Sequence, residues 1–115
     1  MSKAFVIGGG LALAAGLVAF GALIVTGTAL AVEPSRAATL LAMARARAAR
    51  VPVILDVDYR PYSWASSAEA EATCRDAAQV ADIVIGNDLE FDVMAGGAGG
   101  RDLAGRLAAH CTAVI

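Results

Sequence analysis

Three short apolar runs most constrain what this chain can fold into: "ALIVTGT" at 22–28, "VPVILDVD" at 51–58 and "DIVIGN" at 82–87. Each is rich in β-branched residues and closes on polar or glycine-containing positions. Short runs that are apolar at successive positions are the pattern of parallel strands buried on both faces. A helix-length stretch separates each run from the next. Strand, helix, strand, helix, strand at this spacing predicts βαβ units with right-handed crossovers. The expected fold class is α/β: a three-layer, Rossmann-like parallel sheet with helices on both sides.

The stretches between the runs carry helix punctuation. In "EPSRAATLLAMARARAAR" (33–50), Pro34 or Ser35 suits the start, and Leu40, Leu41, Met43 and Ala44 offer an apolar side. Arg45, Arg47 and Arg50 gather toward its C-terminal end, where the helix dipole favours cations and a solvated face suffices to explain them. Pro52 ends this helix. "SSAEAEATCRDAAQVA" (66–81) predicts a second helix, capped by Ser66 or Ser67, with Glu69 and Glu71 in its first turns. "DLEFDVMAG" (88–96) reads as a short helix, "GGAGG" (96–100) as a turn, "RDLAGRLAAHC" (101–111) as a helix and "TAVI" (112–115) as a fourth strand.

At 115 residues the chain is one small domain's worth of sequence. A formal net charge of −2 gives no sign of nucleic-acid binding. Hydrophobic residues make up 58% of the chain, above the usual ~45–50%, with few aromatics, which favours thin helices packed closely. Cys74, Cys111 and the single His110 form no zinc pattern, and both cysteines are expected to be buried or half-buried thiols.

The N-terminus admits another reading. No charged residue occurs from Ala4 to Val32, Lys3 precedes the run, and "ALA" at 29–31 looks like a cleavage site. The run is also long enough to span a bilayer. Against export stand Gly8, Gly9, Gly10, Gly16, Gly21 and Gly27, a length well beyond the usual ~7–15-residue apolar region, and the strand pattern of 22–28. The chain is therefore expected to be cytoplasmic and not membrane-bound. The alternative is an exported or membrane-anchored, non-catalytic α/β ligand-binding domain cut near Ala31. Residues 1–20 stay unassigned, helical or signal-like, and 21–115 form the α/β unit.

In open parallel sheets, ligands bind beyond the carboxyl ends of the strands. Those ends carry Thr26, Gly27 and Thr28, then Asp56, Asp58 and Arg60, then Asn87 and Glu90. Turns also favour Asp and Asn for purely local reasons. Three successive strands delivering polar groups to one edge weigh toward a site.

At these residues the chain resembles a known family. "LDVDYRPYSW" (55–64) resembles the D-x-N/D-x-R-x-x-x-W segment of the ribokinase-like (PfkB) carbohydrate kinases, and "NDLE" (87–90) matches their N-x-x-E motif. "TGTALAVEPSR" (26–36) and "ADIVIGNDLEFDVMAG" (81–96) extend the likeness in order. The resemblance implies a central fragment of a kinase that transfers the terminal phosphate of ATP, with Mg²⁺, to a hydroxyl of a sugar acid of inositol catabolism. It places Asn87 and Glu90 on the magnesium–phosphate side, Glu90 as an oxygen ligand or a holder of metal waters. Asp58 and Arg60 fall on the substrate side, with Arg60 a fork suited to a carboxylate or phosphate. Asp56 is expected to anchor its strand end and Trp64 to pack.

Departures from the pattern matter as well. The family's glycine-rich N-terminal half has no counterpart in residues 1–20, and its G-A-G-D motif, which holds the catalytic base, is missing. "GGAGGRDLAG" (96–105) imitates it, but Gly100 and Arg101 intrude before Asp102, and it follows N-x-x-E too soon. The expectation is a polypeptide with little activity alone, no assigned catalytic residue, and open sheet edges suited to self-association.

Overall fold

The computed structural model describes residues 4–7 and 21–114, with side-chain surroundings given for 21–112. The three apolar runs form β2 Ala22–Thr26, β3 Val53–Asp56 and β4 Ile83–Ile85, flanked by β1 Ala4–Ile7 and β5 Thr112–Val114. They lie side by side in chain order, and every neighbouring pair is parallel. Among the described residues, four α-helices fall between them: α1 Ser35–Ala48, α2 Ser67–Val80, α3 Asp88–Met94 and α4 Gly100–Leu107. The segments expected from the sequence are thus present, shortened by a few residues at their ends.

Register aligns the strands so that Val25, Leu55 and Val84 sit abreast, with Thr26, Asp56 and Ile85 one step further on. Side chains alternate across a strand, so these two rows point to opposite faces. Leu23, Val25, Val53, Leu55 and Val84 are fully buried. Against them pack small residues of α1 and α2, among them Ala42, Ala46, Ala70, Ala77 and Ala78, together with Met43, Phe91 and Met94. Alanine-faced helices approach a sheet closely, which is how so few large side chains close a core.

The opposite face differs. Ala22, Ile24, Ile54 and Ile83 are only half-buried there, and Ile85 is 41% exposed. The sequence led to helices on both sides, and the described helices supply one of those two outer layers. A run of Val and Ile reads alike whether its second face is fully or partly covered.

Local chemistry sets the helix ends. Ser66 caps α2 by accepting the Glu69 N–H at 3.1 Å. Ser35 does not cap α1; its hydroxyl instead donates to the Ala29 carbonyl at 2.7 Å. Arg50 takes the left-handed conformation (φ 58°) and Val51 N–H returns to Ala46 O at 2.8 Å, the usual chain reversal after a helix. The arginines near this end are not wholly solvated. Arg47 donates to Val80 O at 2.7 Å and lies 3.7 Å from Asp82.

Much of the export reading falls on residues 8–20, outside the described residues. Residues 4–7, within the stretch expected to be helical or signal-like, form the first strand. The "ALA" of 29–31 sits in and just after a 3-10 turn, Gly27–Leu30, where Ala29, Leu30 and Ala31 are 1%, 0% and 4% exposed. A cut after Ala31 would remove two strands from the sheet. Among the described residues, no helix is long and apolar enough to cross a membrane.

Both cysteines are free thiols, Cys74 buried and Cys111 partly so. Burial, reinforced by the charge of Glu90 and opposed by Arg36, pushes the Cys74 thiol up to about 12. Burial and then Asp82 raise that of Cys111.

The contrast between the two faces is measurable. Leu55→Ala leaves a cavity in the covered face and is expected to cost about 2–5 kcal/mol. Ile54→Ala, one residue away on the half-open face, is expected to cost less than about half as much. Urea unfolding of the two variants checks this, and equal losses would mean that both faces are packed alike.

Candidate functional site

The level strand ends build the rim. After Thr26 the backbone enters a 3-10 turn so close to the β3 loop that a Cβ at Gly27 would meet the Val57 carbonyl oxygen at 1.9 Å. Only glycine permits this approach of the β2 end to the β3 loop. Thr26 Oγ1 and Thr28 Oγ1 lie 3.1 Å apart. Thr26 is paired with Asp56 in register, so a hydroxyl and a carboxylate stand side by side on the half-open face.

Beyond β3 the chain leaves the sheet through Val57, whose N–H donates to Ile85 O at 2.9 Å. Asp58 then adopts a left-handed conformation (φ 37°), which Asp and Asn tolerate better than most residues. Its carboxylate pairs with Arg60 at 2.9 Å. The Arg60 side chain remains 54% exposed, so its fork is held at one side and open at the other. Trp64 closes the loop from beneath at 7% exposure, the packing role expected of it. Its ring lies 5.9 Å from the Arg36 guanidinium, and its Nε1–H has no partner.

Beyond β4, Asn87 and Glu90 clasp each other. Asn87 Oδ1 accepts the Glu90 N–H at 2.9 Å, and Glu90 Oε1 accepts the Asn87 N–H at 3.0 Å. This is a reciprocal capping box opening α3. The second oxygen, Glu90 Oε2, reaches across to the β3 loop and accepts the Tyr59 N–H at 2.6 Å. The structure therefore brings all four sequence-proposed residues to one rim: Asp58 and Arg60 directly, Asn87 and Glu90 through the bond to Tyr59.

Two residues take a larger part than the sequence reading gave them. Asp56, expected only to anchor the strand, stands with the other acids. Burial foremost, then the charges of Asp58 and Glu90, raise its carboxyl above the usual range, against a lowering by the Asp58 N–H and Arg60. Arg36 is the second. It donates to Leu30 O at 2.7 Å, Ala31 O at 2.8 Å and Glu69 Oε1 at 2.5 Å, tying the β2 turn to the start of α2. Its sequence context, one more arginine on a helix, gave no signal. Asp56 had one: three acids within reach of the same strand ends.

Asp102 lies in the first turn of α4, paired with Arg106, its side chain 78% exposed. That placement gives it no buried surroundings suited to a catalytic base. Among the described residues, no group of three His, Cys, Asp or Glu converges to hold a metal ion directly.

No family model matches the chain. It is 57% identical over 72 residues to a 5-dehydro-2-deoxygluconokinase of Photobacterium profundum, covering 63% of this chain and 22% of that protein. A 5-dehydro-2-deoxygluconokinase of Bacillus anthracis is 51% identical over 73 residues, at 64% and 22% coverage. The chain thus spans about a fifth of the length of these relatives. Among solved structures it is similar to a PfkB protein from Polaromonas, at TM-score 0.73 and 24% identity, covering 89% of this chain and 36% of that one. A fructokinase from Vibrio cholerae in a fructose-, ADP- and calcium-bound form matches at TM-score 0.63 and 29% identity, covering 74% and 29%. Over the matched residues the chain is thus similar to part of the 5-dehydro-2-deoxygluconokinases, and its fold is similar to part of a PfkB protein.

Proposed function

We propose that this segment supplies the sugar-acid and magnesium–phosphate corners of a kinase acting on 5-dehydro-2-deoxygluconate with ATP in the cytoplasm. The observation that carries the reading is the joining of two strand ends. The loop bearing Asp58 and Arg60 is bonded to the corner bearing Asn87 and Glu90 through Tyr59 N–H and Glu90 Oε2. The names of the similar proteins supply the substrate class.

Arg60, braced by Asp58, would face the substrate carboxylate with its open side. Asp58 would also accept sugar hydroxyls. The donor set Asp56, Asp58 and Glu90 is made of hard oxygens, and burial followed by the charges of Asp58 and Glu90 raises the Asp56 carboxyl despite the Asp58 N–H and Arg60. That suits a divalent cation that keeps most of its waters. Glu90 and Asp56 would hold metal waters, and Asn87 would help fix them or a phosphate oxygen. Bound there, magnesium would neutralise charge on the transferred phosphate.

Phosphoryl transfer depends mostly on positioning and charge stabilisation, and Asp102, exposed and paired with Arg106, lacks the setting of a catalytic base. The 115-residue chain is accordingly expected to release no ADP above background from MgATP and 5-dehydro-2-deoxygluconate. It is expected to bind that sugar acid weakly, and Arg60→Ala to weaken binding about tenfold or more, read from NMR titrations. Undiminished binding by the Arg60 variant would refute the assignment of the substrate side.

The acid cluster gives a second test. A carboxyl with a raised folded-state pKa stabilises the fold fully below its unfolded value of about 3.9, and that stability is lost as pH rises through the raised value. Asp56→Asn should therefore raise the melting midpoint at pH 7, and the gain should close below about pH 4. Mg²⁺ should raise the midpoint of the unaltered chain at pH 7 and do so less in the variant. Thermal melts with and without the cation decide both points.

A further inference from the structure

Resting on that functional reading, we propose that Glu90 is a positioning residue that links the magnesium corner to the sugar-acid loop. Capping explains only half of its bonding. The capping box uses Glu90 Oε1 and the Asn87 side chain, and it would open α3 equally well with Oε2 left in solvent. Instead Oε2 takes the Tyr59 N–H at 2.6 Å, the shorter of the carboxylate's two bonds.

Tyr59 lies between the two residues assigned to the substrate. Before it, Asp58 holds a left-handed backbone angle; after it, Arg60 is paired back to Asp58 at 2.9 Å. Tyr59 packs partly against the core, so the peptide that Glu90 grips is also anchored by its side chain. The bond fixes the one amide about which the Asp58–Arg60 pair is oriented. A cation or phosphate that draws on the Glu90 carboxylate alters the acceptor of that amide. Occupancy of the Asn87–Glu90 corner and occupancy of Arg60 are then linked, each changing the affinity for the other by the same factor.

Amide exchange on the ¹⁵N-labelled full chain tests this without any turnover. In Glu90→Ala, Asn87 still caps the position-90 N–H, so α3 keeps its start. Exchange at Tyr59 and Arg60 is expected to rise about tenfold or more, with that at Leu55 in the middle of β3 unchanged. Asn87→Ala, which loses the cap and keeps the Tyr59 acceptor, should leave Tyr59 protected. Unchanged exchange at Tyr59 in Glu90→Ala, or a rise matched at Leu55, overturns the positioning role. In the unaltered chain, Mg²⁺ is expected to shift the Tyr59 amide signal together with those of Asn87 and Glu90. Movement of Asn87 and Glu90 without Tyr59 overturns the linkage. If Mg²⁺ moves none of the three, the proposed metal corner fails and the linkage with it, while the exchange result still decides the positioning role.

Discussion

One row of buried side chains holds the rest in place. Val25, Leu55 and Val84 sit abreast, each fully buried under the helices, and their alignment fixes where the three strands end. A slip of one residue in any strand would turn its apolar row outward and carry its polar tip to the wrong face. The level ending places Thr26, Asp56 and Ile85 in one line, and the Val57 N–H to Ile85 O bond continues that alignment into the loop. The chemistry at the rim is therefore a consequence of packing below it.

Strands and helices were legible because each carries a local signal. Val53 to Leu55 is apolar without a break and Pro52 stands before it; Ser66 and Glu69 bracket the start of α2. The difference between the sheet's faces was not legible, since Ile54 and Leu55 are equally apolar in sequence and only their neighbours distinguish them. Nor was the role of Gly27 as the point where two backbones meet, because Val57 is distant in the chain. Arg36 stayed hidden for the same reason: its partners Leu30, Ala31 and Glu69 converge only after α1 and α2 pack together. The N-x-x-E motif carried a second meaning that sequence alone could have yielded, since an N-cap residue followed three positions later by glutamate is also a capping signature.

Polar strand ends need not be functional, and the structure separates the residues spent on folding from those left available. The Ser66 hydroxyl is committed to a helix start, and of the Asn87 amide only Oδ1 is. Asp82 accepts the Val53 N–H and belongs to the opposite end of the strands. By contrast, Arg60 keeps half its surface in solvent, and Asp56 is partly buried beside the charges of Asp58 and Glu90, offset only in part by the Asp58 N–H and Arg60. Like charges gathered at one edge are where a bound cation would help most. That asymmetry favours a site over a set of turns.

Glu90 sits on the boundary between the two categories. Both its oxygens accept backbone N–H groups, which by itself describes a structural carboxylate. Each carboxylate oxygen has a second lone pair, however, so two amide bonds leave room for two further contacts. A bare divalent ion bound directly would compete with the amides for the same charge. A hydrated one, reached through its waters, adds donors to the free lone pairs and leaves the amides in place. Folding and the proposed metal binding would therefore make compatible demands on Glu90 only if the cation stays hydrated.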